Sequence, residues 1–477
     1  MKGIFKNITL NTLASSVGRI IGGIAGLIIV SLIARSLGAR GFGEYATIVA
    51  YLSTFQILAD LGLYSLLTRE ISQNPEKEKD IVGSFLTLRL FVAAFFLFIA
   101  SMLVFIFPYS IEVKIGVVFA ASGFLFLSLS QIFLGVFQKY LQVYKAAISE
   151  VAGRMVQLGI VWLFFSTNGT LFSYVGALVA GSFTIFAINL FFARRLVAFR
   201  PGISLIRWKG ILKKTYPIAV SLVFTLLYFK ADTILLSILK SPEDVGLYNA
   251  SYKVLETLIF FPAAFAGLML PVISRYAKEN REKLSELLSA LSDIITVFAI
   301  PVVVGGVLLS TTFVYIIGGA EFLAAAPVMM VLFLAIGIIF YGTIWGNSVI
   351  ALDLQKKAMK IYFFGFIFNF IANLFFIPAY SYMGAAWTTV ATELIVTAWL
   401  FWIVRREVLF SISTRATLKA ALGAALMGIF IFYFVDSVFE PVSLIAFFGL
   451  IVGGGLVYSI FGLSILRNLV KRKIFSL

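Results

Sequence analysis

The chain has 477 residues, of which 61% are hydrophobic and only 13% are charged. A soluble domain carries roughly 45–50% apolar and about 25% charged residues, so this composition excludes a water-soluble globule. The net charge of +16 is then explained by Lys and Arg in cytoplasmic loops, and nucleic acid is not an expected partner. Cysteine and histidine are both absent, which excludes disulfides, thiol catalysis and the usual proton shuttle. No motif indicates a cofactor or a metal site.

Apolar runs long enough to cross a bilayer recur from one end of the chain to the other, and they predict helices. The first residues lack a cleavage site behind their apolar core, so we expect a retained first span and no removed signal peptide. In chain order the fourteen predicted segments are 11–35, 43–66, 81–107, 113–137, 142–166, 170–192, 216–239, 246–272, 285–311, 325–350, 359–378, 382–404, 416–435 and 442–465. The predicted fold class is an all-α polytopic membrane protein.

Basic residues set the expected orientation of these segments. Only four of the 38 Lys and Arg residues fall in the predicted outer loops, namely Arg35, Arg40, Lys114 and Lys240. Five more lie within the segments, and the remainder lie in the inner loops and the two termini. Because Lys and Arg concentrate on the cytoplasmic side, both termini are predicted to be cytoplasmic.

A basic linker divides the first twelve segments into six and six. We predict an N-lobe over 1–192, a cytoplasmic linker over 193–215, a C-lobe over 216–404, and two further helices with a cytoplasmic tail over 405–477. In the linker, Leu205, Trp208 and Leu212 recur at helical spacing among basic residues. This pattern fits either a short helix on the inner leaflet or a solvated linker.

The second lobe repeats a short element of the first. "RGFGEYATIVAYLSTFQIL" at 40–58 is echoed by "EDVGLYNASYKVLETLIFF" at 243–261, with Gly43 and Tyr45 matching Gly246 and Tyr248. Six segments per lobe is an even number, so both lobes begin in the same direction. This predicts a parallel repeat with a substrate site between the halves.

Three stretches carry a resemblance to a known family. They are "ARSLGARGFGEYATIVAYLSTFQILADLGLYSLLTREIS" at 34–72, "ADTILLSILKSPEDVGLYNASYKV" at 231–254 and "NLFFIPAYSYMGAAWTTVATELI" at 373–395. In order and spacing they resemble the polysaccharide-type lipid-linked oligosaccharide flippases of the multidrug/oligosaccharidyl-lipid/polysaccharide exporter superfamily. The chain departs from that pattern at Ser381, where many members have glycine, and we expect a stiffer loop there.

The resemblance implies a transporter and not an enzyme. It implies alternating access between two lobes, which would carry an isoprenoid-phosphate- or pyrophosphate-linked oligosaccharide from the inner to the outer leaflet of the cell membrane. The expected partners are this lipid-linked oligosaccharide, membrane lipids and glycan assembly enzymes.

Charged residues within the segments are the candidate site, because a base near a helix centre costs about 2.5–3.5 kcal/mol and calls for a cavity or a partner. The candidate substrate-binding residues are Arg19, Arg89, Arg154, Lys230 and Lys253. Arginine suits phosphate because its planar fork donates two parallel hydrogen bonds. Arg19, beside the glycines of a GxxxGxxxG pattern, and Arg89 either line the cavity or extend to the inner surface.

Acidic residues in the segments are candidates for ion coupling or charge pairing. They are Asp60, Glu150, Asp232, Glu256 and Glu393. Glu150 and Arg154 are spaced i, i+4 and form either a structural pair or a ligand site. Lys253 has two possible partners, Glu256 at i+3 and Asp232 in the preceding segment, and we prefer Asp232. Asp60 is expected near Arg69.

Two other functions compete with the flippase. A multidrug or cation antiporter of the same superfamily would favour twelve segments and an acidic cavity. A membrane-bound sugar polymerase or ligase would need a sizeable outer loop, and the predicted outer loops are short. An ATP-driven pump is disfavoured because no GxxxxGK[ST] motif is present.

Overall fold

The computed structural model describes the backbone of residues 2–60, 62–435 and 444–471, and side chains over 17–60, 62–64, 66–215, 231–435 and 444–467. The described chain folds into helices joined by short connections. They are α1 (Lys2–Asp60), α2 (Leu63–Gln73), α3 (Glu78–Leu103), α4 (Ile111–Lys139), α5 (Tyr144–Ser166), α6 (Leu171–Leu196), α7 (Leu205–Leu239), α8 (Pro242–Leu258), α9 (Phe260–Glu279), α10 (Arg281–Gly318), α11 (Ala326–Ala351), α12 (Gln355–Glu407), α13 (Thr414–Val435) and α14 (Leu444–Lys471). The predicted all-α class is confirmed.

Two of the long helices are broken by one residue each. In α1 the helical path is interrupted at Gly38, with φ 69° and ψ −178°. In α12 the interruption is at Ser381, with φ 50° and ψ −134°. Positive φ at these angles is ordinary for glycine and strained for serine. Each break falls between two predicted segments, so one continuous helical stretch accounts for two of them.

Within the described residues, eleven helical stretches are long and apolar enough to cross a membrane. Two of these, Val17–Asp60 and Gln355–Glu407, contain the breaks at Gly38 and Ser381. The chain is therefore a multi-pass membrane protein.

The chain divides into two compact units, Met1–Gly246 and Leu247–Leu477. In the first unit, an apolar core joins α2, α3, α4 and α6 to the start of α7, with Phe85, Phe133 and Phe137 fully buried. Phe199 of the α6–α7 connection and Ile211 of α7 belong to the same core. In the second unit, α13 and α14 pack on α10 through a separate apolar core.

The predicted linker helix is the first part of α7. The connection between α6 and α7 is short, 197–204, and α7 runs unbroken from Leu205. Trp208 packs on Phe91 of α3, with 5.3 Å between ring centroids. Leu205 and Leu212, which share the predicted stripe with Trp208, are 73% and 37% exposed. The start of α7 thus packs on α3.

Candidate functional site: charged side chains within the apolar helices

The glycine face of α1 packs closely against α5. A Cβ placed on Gly18 would lie 2.7 Å from the Cβ of Ala147, and one on Gly22 would lie 3.7 Å from Glu150 Oε1. A Cβ on Gly26 would contact nothing within 4 Å. The first two glycines of the GxxxGxxxG pattern therefore do bring two helices together, as small residues do in membranes. Arg19 follows Gly18 on α1, and the charged residues of α5 are Glu150 and Arg154.

Glu150 and Arg154 share α5 without forming the expected ion pair. Arg154 Nη1 donates to Gln157 Oε1 at 3.2 Å instead, and its Nε is buried with no hydrogen-bond partner. Arg19 is exposed. None of these three charged side chains takes part in an ion pair within the part of the chain that the structure describes. Arg19 of α1 and Arg154 of α5 are thus two guanidinium groups on neighbouring helices, and neither has a carboxylate partner among the described side chains.

Arg89 is in the opposite situation, because protein acceptors use each of its nitrogens. It is fully buried, and Nη1 donates to both the backbone oxygen and Oδ1 of Asp60, each at 2.6 Å. Nε donates to Ser128 Oγ at 2.7 Å and Nη2 to Gln131 Oε1 at 2.8 Å. Arg89 neither lines a cavity nor extends to the inner surface. Its guanidinium group is fully engaged by protein acceptors.

Asp60 is the counter-ion of Arg89, and it forms no ion pair with Arg69 among the described side chains. It is the last residue of α1, where the chain turns through Gly62 at φ 66°. Its side chain is 20% exposed. Ser128 and Gln131, which complete the network, were not singled out from the sequence. Their i, i+3 spacing in an apolar segment, one polar face of a helix, was the available signal.

In the second unit, Lys253 pairs with Glu256 on its own helix. Nζ lies 2.9 Å from Oε2, and the two side chains are 34% and 30% exposed. The i+3 alternative is therefore the observed one, and the preference for Asp232 as the partner of Lys253 is wrong. The reason is geometric: residues three apart on a helix are neighbours on its surface, so this pair needs no second helix. Asp232 of α7 is buried, and the side chain of Lys230 lies outside the described residues.

A buried polar network joins the two halves of α12. Asn373 Nδ2 donates to Asn369 Oδ1 at 3.0 Å, and Asn369 Nδ2 donates to Thr392 Oγ1 at 3.3 Å. Thr388 Oγ1 donates to Asn373 Oδ1 at 2.6 Å. Glu393, one residue beyond Thr392, is also buried. The break at Ser381 folds the helix so that these residues face one another.

The described residues do not indicate a metal centre. No group of three or more acidic residues among the described side chains is arranged to hold a metal ion. The arginines are cationic hydrogen-bond donors in apolar helices, and such donors can bind an anion.

Comparison with protein families gives two matches. The model of the family "Polysaccharide biosynthesis protein" matches residues 8–277, and the MatE model matches residues 217–375. Among curated proteins, the chain is 22% identical over 369 residues to the probable low-salt glycan biosynthesis flippase Agl15 of Haloferax volcanii, which covers 76% of this chain and 75% of that protein. It is 23% identical over 340 residues to the probable flippase AglR of the same organism, covering 68% and 67%.

Solved structures show the same fold at low sequence identity. The lipid II flippase MurJ in an inward closed conformation superposes with a TM-score of 0.77 at 17% identity, covering 97% of this chain and 100% of that one. An inward-facing multidrug resistance MATE family transporter of the MOP superfamily gives 0.65 at 13% identity, covering 83% and 98%. These relatives are flippases and transporters, not enzymes. Because the first family model matches more than half of the chain, the protein belongs to the family "Polysaccharide biosynthesis protein".

Proposed function

We propose that the protein is a flippase that moves an isoprenoid-phosphate- or pyrophosphate-linked oligosaccharide from the inner to the outer leaflet, by alternating access, for export of a cell-surface glycan. Support for a flippase comes from the family match and from the relatives named as flippases. The substrate class and the mechanism rest on the charged side chains and on the repeat.

The observation that carries the substrate class is that Arg19 of α1 and Arg154 of α5, on neighbouring helices, have no carboxylate partner among the described side chains. Arg19 is exposed within an apolar helix, and Arg154 keeps a buried Nε without an acceptor. An unpartnered charge in a membrane helix is costly and marks a substrate path. A phosphate or pyrophosphate group, with several acceptor oxygens, would satisfy both groups by charge-assisted hydrogen bonds. We assign Arg19 and Arg154 as the phosphate-binding residues of the first unit.

Lys253 is the candidate of the second unit. Its pair with Glu256 is one-third exposed, so the ammonium group can exchange its partner for a substrate phosphate at little cost. Lys230 stays a candidate on its sequence position alone.

For ion coupling we propose Asp232 and Glu393. Asp60 already serves Arg89 at 2.6 Å, and Glu256 serves Lys253, so both fit charge pairing better than coupling. Asp232 and Glu393 are buried, at 4% and 8% exposure, where the energy of a charge changes strongly with protonation or with a bound cation. Glu150, beside Gly22, can balance one of the two arginines when no substrate is bound.

We also propose fourteen crossings, as two six-helix lobes in parallel repeat followed by two helices, with both termini in the cytoplasm. Eleven apolar stretches support this number, because two of them are broken in the middle and each count as two crossings, and α7 adds one more. The repeat is supported by Gly43 and Gly246, which occupy equivalent places in the two lobes. Gly43 lies against Pro242, which is four residues before Gly246, and Gly246 lies against Ala39, which is four residues before Gly43.

The function can be tested in proteoliposomes that contain a lipid-linked oligosaccharide with a fluorescent reporter on the sugar. Flipping makes the reporter in the inner leaflet accessible to the impermeant quencher dithionite. We expect the purified protein to raise the rate of quenching, and Arg19→Ala and Arg154→Ala to lower it at least tenfold. Lys356→Ala, which removes an exposed charge at the start of α12, is the matched control. Wild-type rates in an Arg19→Ala, Arg154→Ala double variant would overturn the assignment.

A multidrug or cation antiporter is the second candidate, and the MatE match over 217–375 favours it. The same vesicles distinguish the two functions. Uptake of an organic cation against an imposed proton or Na⁺ gradient, with no effect on the lipid-linked reporter, would replace the flippase by the antiporter.

A further inference from the structure

The connection between α6 and α7 exposes a cluster of large apolar side chains. Ile203, Leu205 and Ile206 are 69%, 73% and 90% exposed, and we call them the linker cluster. They lie on a segment whose neighbouring residues are hydrogen-bonded to α3. Three adjacent aliphatic side chains exposed to water would be unfavourable.

Hydrogen bonds to α3 give the depth of this segment. Thr87 Oγ1 donates to the backbone oxygen of Gly202 at 2.7 Å, and Trp208 Nε1 donates to that of Ser84 at 3.2 Å. Arg207 Nη1 donates to the backbone oxygen of Asp80 at 3.1 Å. Thr87 is six residues inside the apolar segment that begins at 81, or about 9 Å along a helix. Measured from this predicted boundary, Gly202 lies at the depth of about 5–10 Å at which interfacial helices bury their apolar face.

The linker cluster continues the lipid-facing surface of α3. Trp208 packs at a tilted angle on Phe91, which is 53% exposed, and Phe95 and Phe98 follow at 59% and 63%. These phenylalanines lie in the middle of a predicted span, where only acyl chains can cover them. The apolar surface of α3 therefore reaches the start of α7 through the contact between Phe91 and Trp208.

Basic residues surround the linker cluster, and several have no carboxylate partner. Arg207 is engaged with the α3 backbone, and Lys214 is paired with Glu70 at 2.6 Å. Arg200, Lys209 and Lys213 are exposed and belong to none of the ion pairs among the described side chains. At the cytoplasmic surface, such basic residues attract anionic lipids.

We propose that residues 200–213 form an anionic-phospholipid site at the inner leaflet. Ile203, Leu205 and Ile206 insert among the acyl chains, and Arg200, Lys209 and Lys213 bind phosphate groups of the lipid head groups. The occupant is a bilayer phospholipid, not the transported molecule. The site rests on the cytoplasmic orientation given under the proposed function, but its tests use depth and lipid retention. The lipid-site proposal can therefore fail while the flippase assay succeeds, and the flippase assay can fail while the lipid-site proposal holds.

Depth is tested with one cysteine, since the natural chain has none. Ile206→Cys, labelled with a bimane fluorophore in vesicles, should be quenched by lipids brominated near the carbonyl end of the acyl chain and not by aqueous iodide. Gly83→Ala should weaken that quenching, because its Cβ would overlap the backbone oxygen of Arg200 and push the segment off α3. Gly159→Ala, where a Cβ meets nothing within 4 Å, is the control. Quenching by iodide and not by bromolipid would overturn insertion.

Head-group binding is tested by counting phosphatidylglycerol molecules that stay bound after purification from mixed vesicles, by native mass spectrometry. Removing cations at a membrane surface weakens binding by about fivefold for each charge. We expect Arg200→Ala, Lys209→Ala, Lys213→Ala together to lose bound phosphatidylglycerol and to keep phosphatidylcholine. Lys356→Ala, Lys360→Ala, Arg415→Ala removes the same charge from other exposed positions and should change nothing. Equal loss in both triple variants, or no loss in either, would overturn the proposal.

Discussion

Gly43 and Gly246 are in reciprocal backbone contact. A Cβ on Gly43 would overlap the carbonyl oxygen of Pro242, and a Cβ on Gly246 would overlap that of Ala39. One turn away, Arg40 Nε lies 3.8 Å from Glu243 Oε1. Exchanging Gly43 with Gly246, and Pro242 with Ala39, converts the first contact into the second. The two contacts therefore form a local pseudo-two-fold arrangement. Close backbone approach of this kind is possible only at glycine.

Replacing either glycine by alanine should therefore destabilise this arrangement. Overpacking costs typically 1–3 kcal/mol, and we expect Gly43→Ala and Gly246→Ala to lower the melting temperature in detergent. Gly26→Ala is the control, because a Cβ there meets nothing within 4 Å and alanine is the better helix former. If all three variants melt together, the reciprocal contact does not stabilise the fold.

Orientation can be mapped with single cysteines in this cysteine-free chain. Asn168 and Arg207 are both exposed, and the proposed topology puts them on opposite sides of the membrane. An impermeant maleimide added to intact cells should label a cysteine at 168 and not one at 207. After permeabilisation both should react. Labelling at 207 with 168 silent would invert the topology.

The helices were predictable from the sequence because hydrocarbon demands long apolar runs whose backbone is hydrogen-bonded within the helix. The docking of Trp208 on α3 was not, because a helical stripe gives a face and not its partner. Some contacts of the charged side chains could likewise be predicted from the sequence, and others could not. Lys253 and Glu256 are neighbours on one helix, so the pair follows from spacing alone. Arg89 and Asp60 come from different helices, and only the folded chain brings Ser128 and Gln131 to the remaining nitrogens.

The Asp60–Arg89 pair should be a determinant of stability. Breaking a buried pair leaves an uncompensated charge, at a cost of about 3–5 kcal/mol. Asp60→Asn and Arg89→Met should each lower the melting temperature strongly, and the double variant should recover part of the loss. Glu70→Gln breaks the more exposed pair with Lys214, which should cost less than about 1 kcal/mol. Strict additivity of the two single effects would contradict the pairing, since contacting residues couple by about 0.5–3 kcal/mol.

Ser381 is expected to be a site where glycine stabilises. Its φ of 50° places a β-carbon in a conformation that costs of order 1–3 kcal/mol for a residue other than glycine. Ser381→Gly should therefore raise the melting temperature, whereas Ser381→Ala, which keeps the β-carbon, should not. Gly38→Ser, at φ 69°, should show the opposite effect. A less stable Ser381→Gly variant would mean that contacts of the serine hydroxyl outweigh the strain of its backbone.

Lys253 and Glu256 allow a substrate role to be separated from a structural one. Their side chains are about one-third exposed, so the pair contributes no more than about 1 kcal/mol to stability. Lys253→Met and Glu256→Gln should then both leave the melting temperature nearly unchanged. Transport should differ, because the first variant removes the cation that binds phosphate and the second releases it from its partner.

In the dithionite assay, we expect a severalfold loss of flipping for Lys253→Met and no loss for Glu256→Gln. A change of Lys253 to Arg, which keeps the positive charge, should restore most of the rate. If Lys253 acts only through Glu256, the Met and Gln variants must lose transport equally, since each leaves the same pair broken. An equal loss would therefore assign the lysine to the structure of α8 and leave Arg19 and Arg154 as the phosphate-binding cations.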